Sequence, residues 1–155
     1  GNTLQFLACN PTEPPVPRAR GGTDYELGTI QSVNGELNKS YRSHNNSVDS
    51  SRKYLELKPN ESEAMIDLGL AYAELQMIDI SLRELNQAVV LAPTNQRAWH
   101  ALGWVQYKGA SNLADAKLAW QKSYELNPNT PIGQESKSFL DQFAGQGLAL
   151  PGSAP

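Results

Sequence analysis

From about residue 27 to residue 143, apolar side chains recur at three- and four-residue spacing, and no stretch shows the strict alternation of a strand. The stretch 62–75, SEAMIDLGLAYAEL, sets Met65, Leu68, Ala71, Tyr72 and Leu75 on one face of a helix. A second helix is predicted over DISLRELNQAVVLAP, carried by Ile80, Leu82, Leu85, Ala88, Val89 and Leu91 and stopped by Pro93. NQRAWHALGWVQYKG opens a third, closed at Gly109, and LADAKLAWQKSYELNP a fourth, with Leu113, Ala116, Leu118, Trp120 and Leu126 ahead of Pro128. A last apolar face, Ile132, Phe139, Leu140 and Phe143, follows Thr130 and Pro131, a cap and first-turn proline.

The helices come in pairs, and the pairs repeat. AMIDLGLAYAEL and AWHALGWVQYKG align Ala64 with Ala98, Leu68 with Leu102 and Gly69 with Gly103, while Met65 answers Trp99. Each pair ends on a proline, and the step is 34 residues from Pro59 to Pro93 and 35 from Pro93 to Pro128. A 34-residue period of helix, turn, helix and terminal proline resembles the tetratricopeptide repeat (TPR) family. The family's first-helix pattern falls on Met65, Leu68, Gly69 and Tyr72, then on Trp99, Leu102 and Gly103, with Gln106 off pattern. Its second-helix pattern falls on Ser81, Leu85, Ala88 and Pro93, and on Ala116, Trp120, Ser123 and Pro128 displaced by one. Trp99 and Trp120 then stand at packing positions.

The first repeat is degenerate. Counting back 34 puts Gln31, Asn34 and Asn38 in the core, and burying three amides without partners costs kilocalories each. Sliding by one puts Ile30, Val33 and Leu37 there, with Leu27 and Tyr41 extending the stripe, and makes this repeat 35 long with its extra residue in RSHNNS. Its second helix, SVDSSRKYLELKP, is anchored by Val48, Tyr54, Leu55 and Leu57 and thinned by Ser50 and Ser51. The expected architecture is an all-α solenoid of three repeats (27–61, 62–95, 96–130) and a capping helix (131–144), a domain over 25–144. An N-terminal arm and Pro-rich linker (1–24) precede it, and a loose tail (145–155) follows.

In TPR proteins the first helices line a concave groove that takes extended peptides or helices, so the resemblance implies a non-catalytic scaffold binding another protein or peptide. The groove positions of the third repeat hold Arg97, His100, Trp104 and Tyr107 on one helix face, with Ile66, Asp67 and Leu70 beside them in the second. Trp, Tyr and Arg dominate binding hot spots. The competing reading has the cap helix or the arm folding over these aromatics as core. The carboxylate clamp of TPR cochaperones would fall on Gln31, Gly35, Asp67, Arg97 and Ala101, and only Arg97 fits, so a chaperone-tail receptor is not expected.

Composition narrows this further. The chain has 155 residues, 39% apolar and 19% charged, with a formal net charge of −3 and its Lys and Arg scattered, unlike a nucleic-acid binder. No apolar run reaches the roughly 18 residues of a membrane span. No carboxylate pair, phosphate loop or metal-spaced His/Cys set points to catalysis, a metal or a cofactor. The single cysteine, Cys9, excludes an internal disulfide. TLQFLACNPTEPP resembles the end of a bacterial lipoprotein signal, which would make Cys9 the lipidated residue and place the domain at the envelope instead of the cytoplasm. Alternatively Leu4, Phe6 and Leu7 form an arm that packs on the first repeat or in a neighbour's groove, and self-association follows.

Overall fold

The computed structural model describes residues 17–146, with side chains from residue 21 onward. Seven helices follow in order among the described residues: α1 (Pro17–Val33), α2 (Leu37–Leu57), α3 (Ser62–Glu74), α4 (Ile78–Leu91), α5 (Gln96–Lys108), α6 (Leu113–Leu126) and α7 (Pro131–Gln142). Each packs on its sequence neighbours, and α1, α3 and α5 also touch in series, as do α5 and α7. The helices are therefore antiparallel hairpins stacked side by side and closed by α7. Cys9, the N-terminal arm and the tail beyond residue 146 lie outside the described residues.

The register inside a hairpin is set where a glycine lets a large side chain approach. A Cβ at Gly69 would meet the Leu85 side chain at 2.7 Å, and one at Gly103 would meet the Trp120 ring at 2.6 Å. Leu85 and Trp120 are wholly buried. Ser81 and Ala116 sit one turn earlier, and the Ser81 hydroxyl donates to the Gly69 carbonyl at 2.6 Å. Small on one helix and large on the other thus brings the axes close. Gly109 serves a similar end: with φ −89 it is no left-handed cap, and a Cβ there would fall 2.7 Å from Ile78.

The caps hold neighbouring hairpins together. Asn95 caps α5 on the Ala98 N–H and its amide donates to Glu63, one repeat back, at 2.6 Å. The Gln96 amide donates to the carbonyls of Ser123 and Asn127, both at 2.7 Å, and accepts from Thr130, the N-cap of α7. One core forms around Met65, Ile66, Leu85, Val89, Leu102 and Val105. A second joins Val48 to Leu68, Ala71 and Tyr72, and a third packs Trp120 on Phe139, Leu140 and Phe143 of the cap.

The first hairpin departs from the sequence reading in two ways. Residues 17–24, assigned to the linker, are the opening of α1. The stripe assigned to its core points outward: Leu27, Ile30, Val33, Leu37 and Tyr41 are 46–83% exposed. The faces buried between α1 and α2 instead carry Gly21, Gly28, Ser40, Ser43, His44, Ser47 and Ser51. Gln31 does turn toward α2, but its amide oxygen accepts from the Ser43 hydroxyl at 2.8 Å, so the penalty that argued against it is removed.

The physical reason is length. Two glycine contacts, not one, tie the first hairpin: a Cβ at Gly21 would meet Ser51 at 2.5 Å and one at Gly28 would meet the His44 ring at 2.7 Å. The Gly21–Ser51 pair is about level with Gly69 and Leu85, because Gly22 abuts Asp67 and Leu55 packs on the central core. Gly28 and His44 lie one heptad further out. α2 (21 residues) is thus about two turns longer than α4 (14 residues), and α1 (17) about one turn longer than α3 (13), so the α2 side of the hairpin tip overhangs its neighbour by about 10 Å. The extra residues are spread over both helices and are not the single insertion expected in RSHNNS.

Candidate functional site

The groove is lined by α1, α3, α5 and α7. At its centre Arg97 bridges repeats, donating from Nη1 to Glu63 Oε2 and from Nη2 to Asp67 Oδ1, each at 2.8 Å. The Asp67 side chain is only 4% exposed and that of Arg97 33%. Burial alone would lower the Arg97 pKa; the two carboxylates, Asp67 foremost, outweigh it and hold the guanidinium above its ordinary range. A hollow of about 420 Å³ opens beside the pair, walled by Gly22, Thr23, Tyr25 and Glu26 of α1. In it the Tyr25 hydroxyl is pushed up to about 12, chiefly by burial.

Next to it lies a cleft of about 310 Å³ lined by Tyr25, Leu70, Arg97, His100, Ala101, Trp104, Ile132, Glu135 and Phe139. Its surface is mostly apolar. Trp104 is half-buried, with its ring 5.8 Å from that of Phe139 and the Lys108 ammonium 5.4 Å above its face. Glu135 and Arg97 supply charge at the edges.

The residues expected to bind a partner separate into three groups. Leu70, Arg97, His100 and Trp104 converge on this cleft. Ile66 does not: it is wholly buried in the central core. Asp67 faces the groove, but its carboxylate is taken up by Arg97. Tyr107 packs under the cap, 4.7 Å from Phe143 and edge-on to Trp120 at 5.9 Å, so for this residue the cap-helix reading holds. Trp120 is core as expected. Trp99 is half-buried on the central core, and its indole N–H donates to the Pro93 carbonyl at 2.8 Å.

Sequence reasoning missed the walls supplied from outside the repeats. Tyr25 was in the supposed linker margin. Ile132, Glu135 and Phe139 were assigned to the cap alone, although a helix covering the last repeat necessarily turns one edge toward the groove. Reasoning along the chain also missed a hydrogen-bonded chain: His100 Nδ1 lies 2.9 Å from the Ser136 hydroxyl and Nε2 3.2 Å from Glu135, while Ser136 and Ser123 hydroxyls are 2.9 Å apart. Serine, histidine and carboxylate in this order resemble a nucleophile with its base. Ser136 has no exposed surface, however, so no substrate carbonyl can reach its oxygen, and the chain ties α5, α6 and α7 together. Burial lowers the His100 pKa, partly offset by Glu135.

Solved structures share this stack of hairpins. The first TPR of Spaghetti (RPAP3), bound to the HSP90 peptide SRMEEVD, superposes with a TM-score of 0.57 at 19% identity, over 82% of this chain and 95% of that one. The Sgt2 TPR domain from Aspergillus fumigatus gives 0.57 at 17%, covering 79% and 78%. The Yersinia enterocolitica type III secretion translocator chaperone SycD gives 0.59 at 16%, covering 80% and 91%. The fold is that of a tetratricopeptide-repeat solenoid.

In sequence, the chain is 26% identical over 105 residues to human protein O-mannosyl-transferase TMTC1 and 23% over 104 residues to the mouse protein. These matches cover 64% of this chain but only 12% and 11% of those proteins, so this TPR solenoid spans about an eighth of the relatives it matches. No protein-family profile matches the chain. No helix among the described residues is long and apolar enough to cross a membrane.

Proposed function

We propose that this TPR solenoid is a non-catalytic scaffold that holds a segment of another protein along its concave face, anchored in the cleft between α3, α5 and α7. One observation carries the reading: Trp104 stands half-exposed in an open, apolar cleft whose floor and walls, Leu70, Ala101 and Phe139, come from three helices. A single large apolar side chain of a partner fits such a cleft, and a buried aromatic anchor is the usual centre of a binding hot spot. The peptides named with the structural neighbours, such as SRMEEVD, lend support to a peptide-binding groove.

The groove here differs from one built for an acidic tail. Arg97 already satisfies two carboxylates of its own chain, and a third would have to displace them. The favoured partner segment is therefore neutral or basic around an apolar anchor. The test is capture of a partner from the native extract by wild type and by Trp104→Ala, followed by calorimetric titration of the segment mapped within that partner. Loss of at least tenfold in affinity on Trp104→Ala, with an unchanged circular dichroism spectrum, is expected. Equal affinity for both proteins moves the site elsewhere. Tyr107 is left intact in this design because its truncation would loosen the cap.

A further inference from the structure

The overhanging tip of the first hairpin leaves a group of large apolar side chains exposed. On α2, Leu37, Tyr41, Val48 and Leu55 recur at four and seven, a single stripe along one face. Its C-terminal half is covered: Val48 is buried against Leu68, Ala71 and Tyr72, and Leu55 packs beside them. Its N-terminal half runs past the end of the second repeat, and there Leu37 is 69% and Tyr41 63% exposed. Across the turn Val33 is 83% and Ile30 58% exposed. Met77, on the turn between α3 and α4 that forms the floor of the step, is 42% exposed.

We propose that this step is the contact between two copies of the chain. A large apolar residue presents on the order of 150 Å² when free, so at 42–83% exposure each of these five offers on the order of 100 Å². Together they present about 500 Å² of apolar surface, at the upper end of what a monomer leaves open. A standard dimer buries about 800 Å² per partner, a little over half of it apolar, and the patch matches that need. The shape favours a second copy over an unrelated partner. A ledge two helical turns long above a floor one repeat deep is completed by the same ledge inverted through a two-fold axis, so each tip rests on the other's floor and the assembly closes at two. The stripe that α3 covers below is then covered above by the partner copy.

Sedimentation velocity of the full chain across about 1–200 μM, for wild type and for Leu37→Glu/Tyr41→Glu, decides it. Wild type is expected to sediment at twice its 16.9 kDa mass as concentration rises, and the double variant to stay monomeric, its dissociation constant raised at least tenfold, with an unchanged melting curve. If the charged variant does not fold, Leu37→Ser/Tyr41→Ser gives the same reading, since both side chains are about two-thirds exposed in the single chain. Wild type remaining monomeric throughout overturns the proposal and leaves the step to residues 1–16 or to another protein. A dimer that survives both variants overturns it equally.

Discussion

His44, like Leu85 and Trp120 in the other hairpins, is pressed on a glycine of the facing helix. It is 2% exposed, and neither ring nitrogen has a hydrogen-bond partner. Burial sets its pKa below 6.5, and His100 is shifted the same way. The folded chain therefore binds fewer protons than the unfolded chain between those lowered values and 6.5. Stability is complete above about 6.5 and drains as pH falls through that window. We expect the melting temperature to drop on acidification below pH 6.5, and His44→Leu both to blunt that drop and to raise the melting temperature at pH 7. Relieving two unpaired nitrogens is worth about 1–3 kcal/mol, or about 2–10 °C in a domain of this size, readable by calorimetry. At Gly103 two effects compete. Gly103→Ala gains about 1 kcal/mol of helix propensity, but its Cβ would lie 2.6 Å from a Trp120 ring that has no room to move. Overpacking of about 1–3 kcal/mol wins, so chemical denaturation should show a net loss of stability.

The first hairpin and the cap contribute unequally to the stack. The α1–α2 interface buries glycines, serines and a histidine, with Ser47 and Ser51 hydroxyls unpartnered, and gains little from apolar area. The α5–α6–α7 unit buries Trp120 among Tyr107, Phe139 and Phe143. Opening free energy follows buried apolar contact. Amide hydrogen exchange should therefore be fastest in α1 and the N-terminal half of α2, and slowest in α5 and α6. Trp120→Ala should cost about 3–5 kcal/mol and erase that difference, because it empties the space on which α6 and α7 meet.

Across the whole molecule, the partner preference proposed above rests on electrostatics more than on shape. The fold is shared with its structural neighbours, but here the one arginine at a clamp position is bound by Asp67 and Glu63 of the preceding repeat. Fluorescence polarisation with a labelled acidic C-terminal peptide such as SRMEEVD should show no saturable binding at concentrations up to about 100 μM, where a chaperone-tail receptor would respond. Saturable binding there would mean that the Arg97 pair opens to admit a competing carboxylate.

Period, prolines and the pattern positions of Gly69, Leu85, Gly103 and Trp120 were legible along the chain because they are local, each a spacing within one repeat; that Leu85 packs on Gly69 and Trp120 on Gly103 was decided by the tertiary structure. Trp120 as core and α7 as cap follow from the same rule, that a repeat cannot bury its own face. The groove residues of α5 were legible as a helix face, whereas the roles of Ile66, Asp67 and Tyr107 were not, since only packing decides which side of a face meets solvent. The first hairpin shows the limit most clearly. Apolar residues at three-and-four spacing predict a shared helix face, but the turn at 34–36 puts Ile30 and Val33 at the end of α1 and Leu37 and Tyr41 at the start of α2, all exposed at the hairpin tip. Whether such a face is buried depends on how far the neighbouring hairpin extends. The second repeat ends one to two turns short, so hydrophobicity marks a surface there, and glycine with serine marks the core.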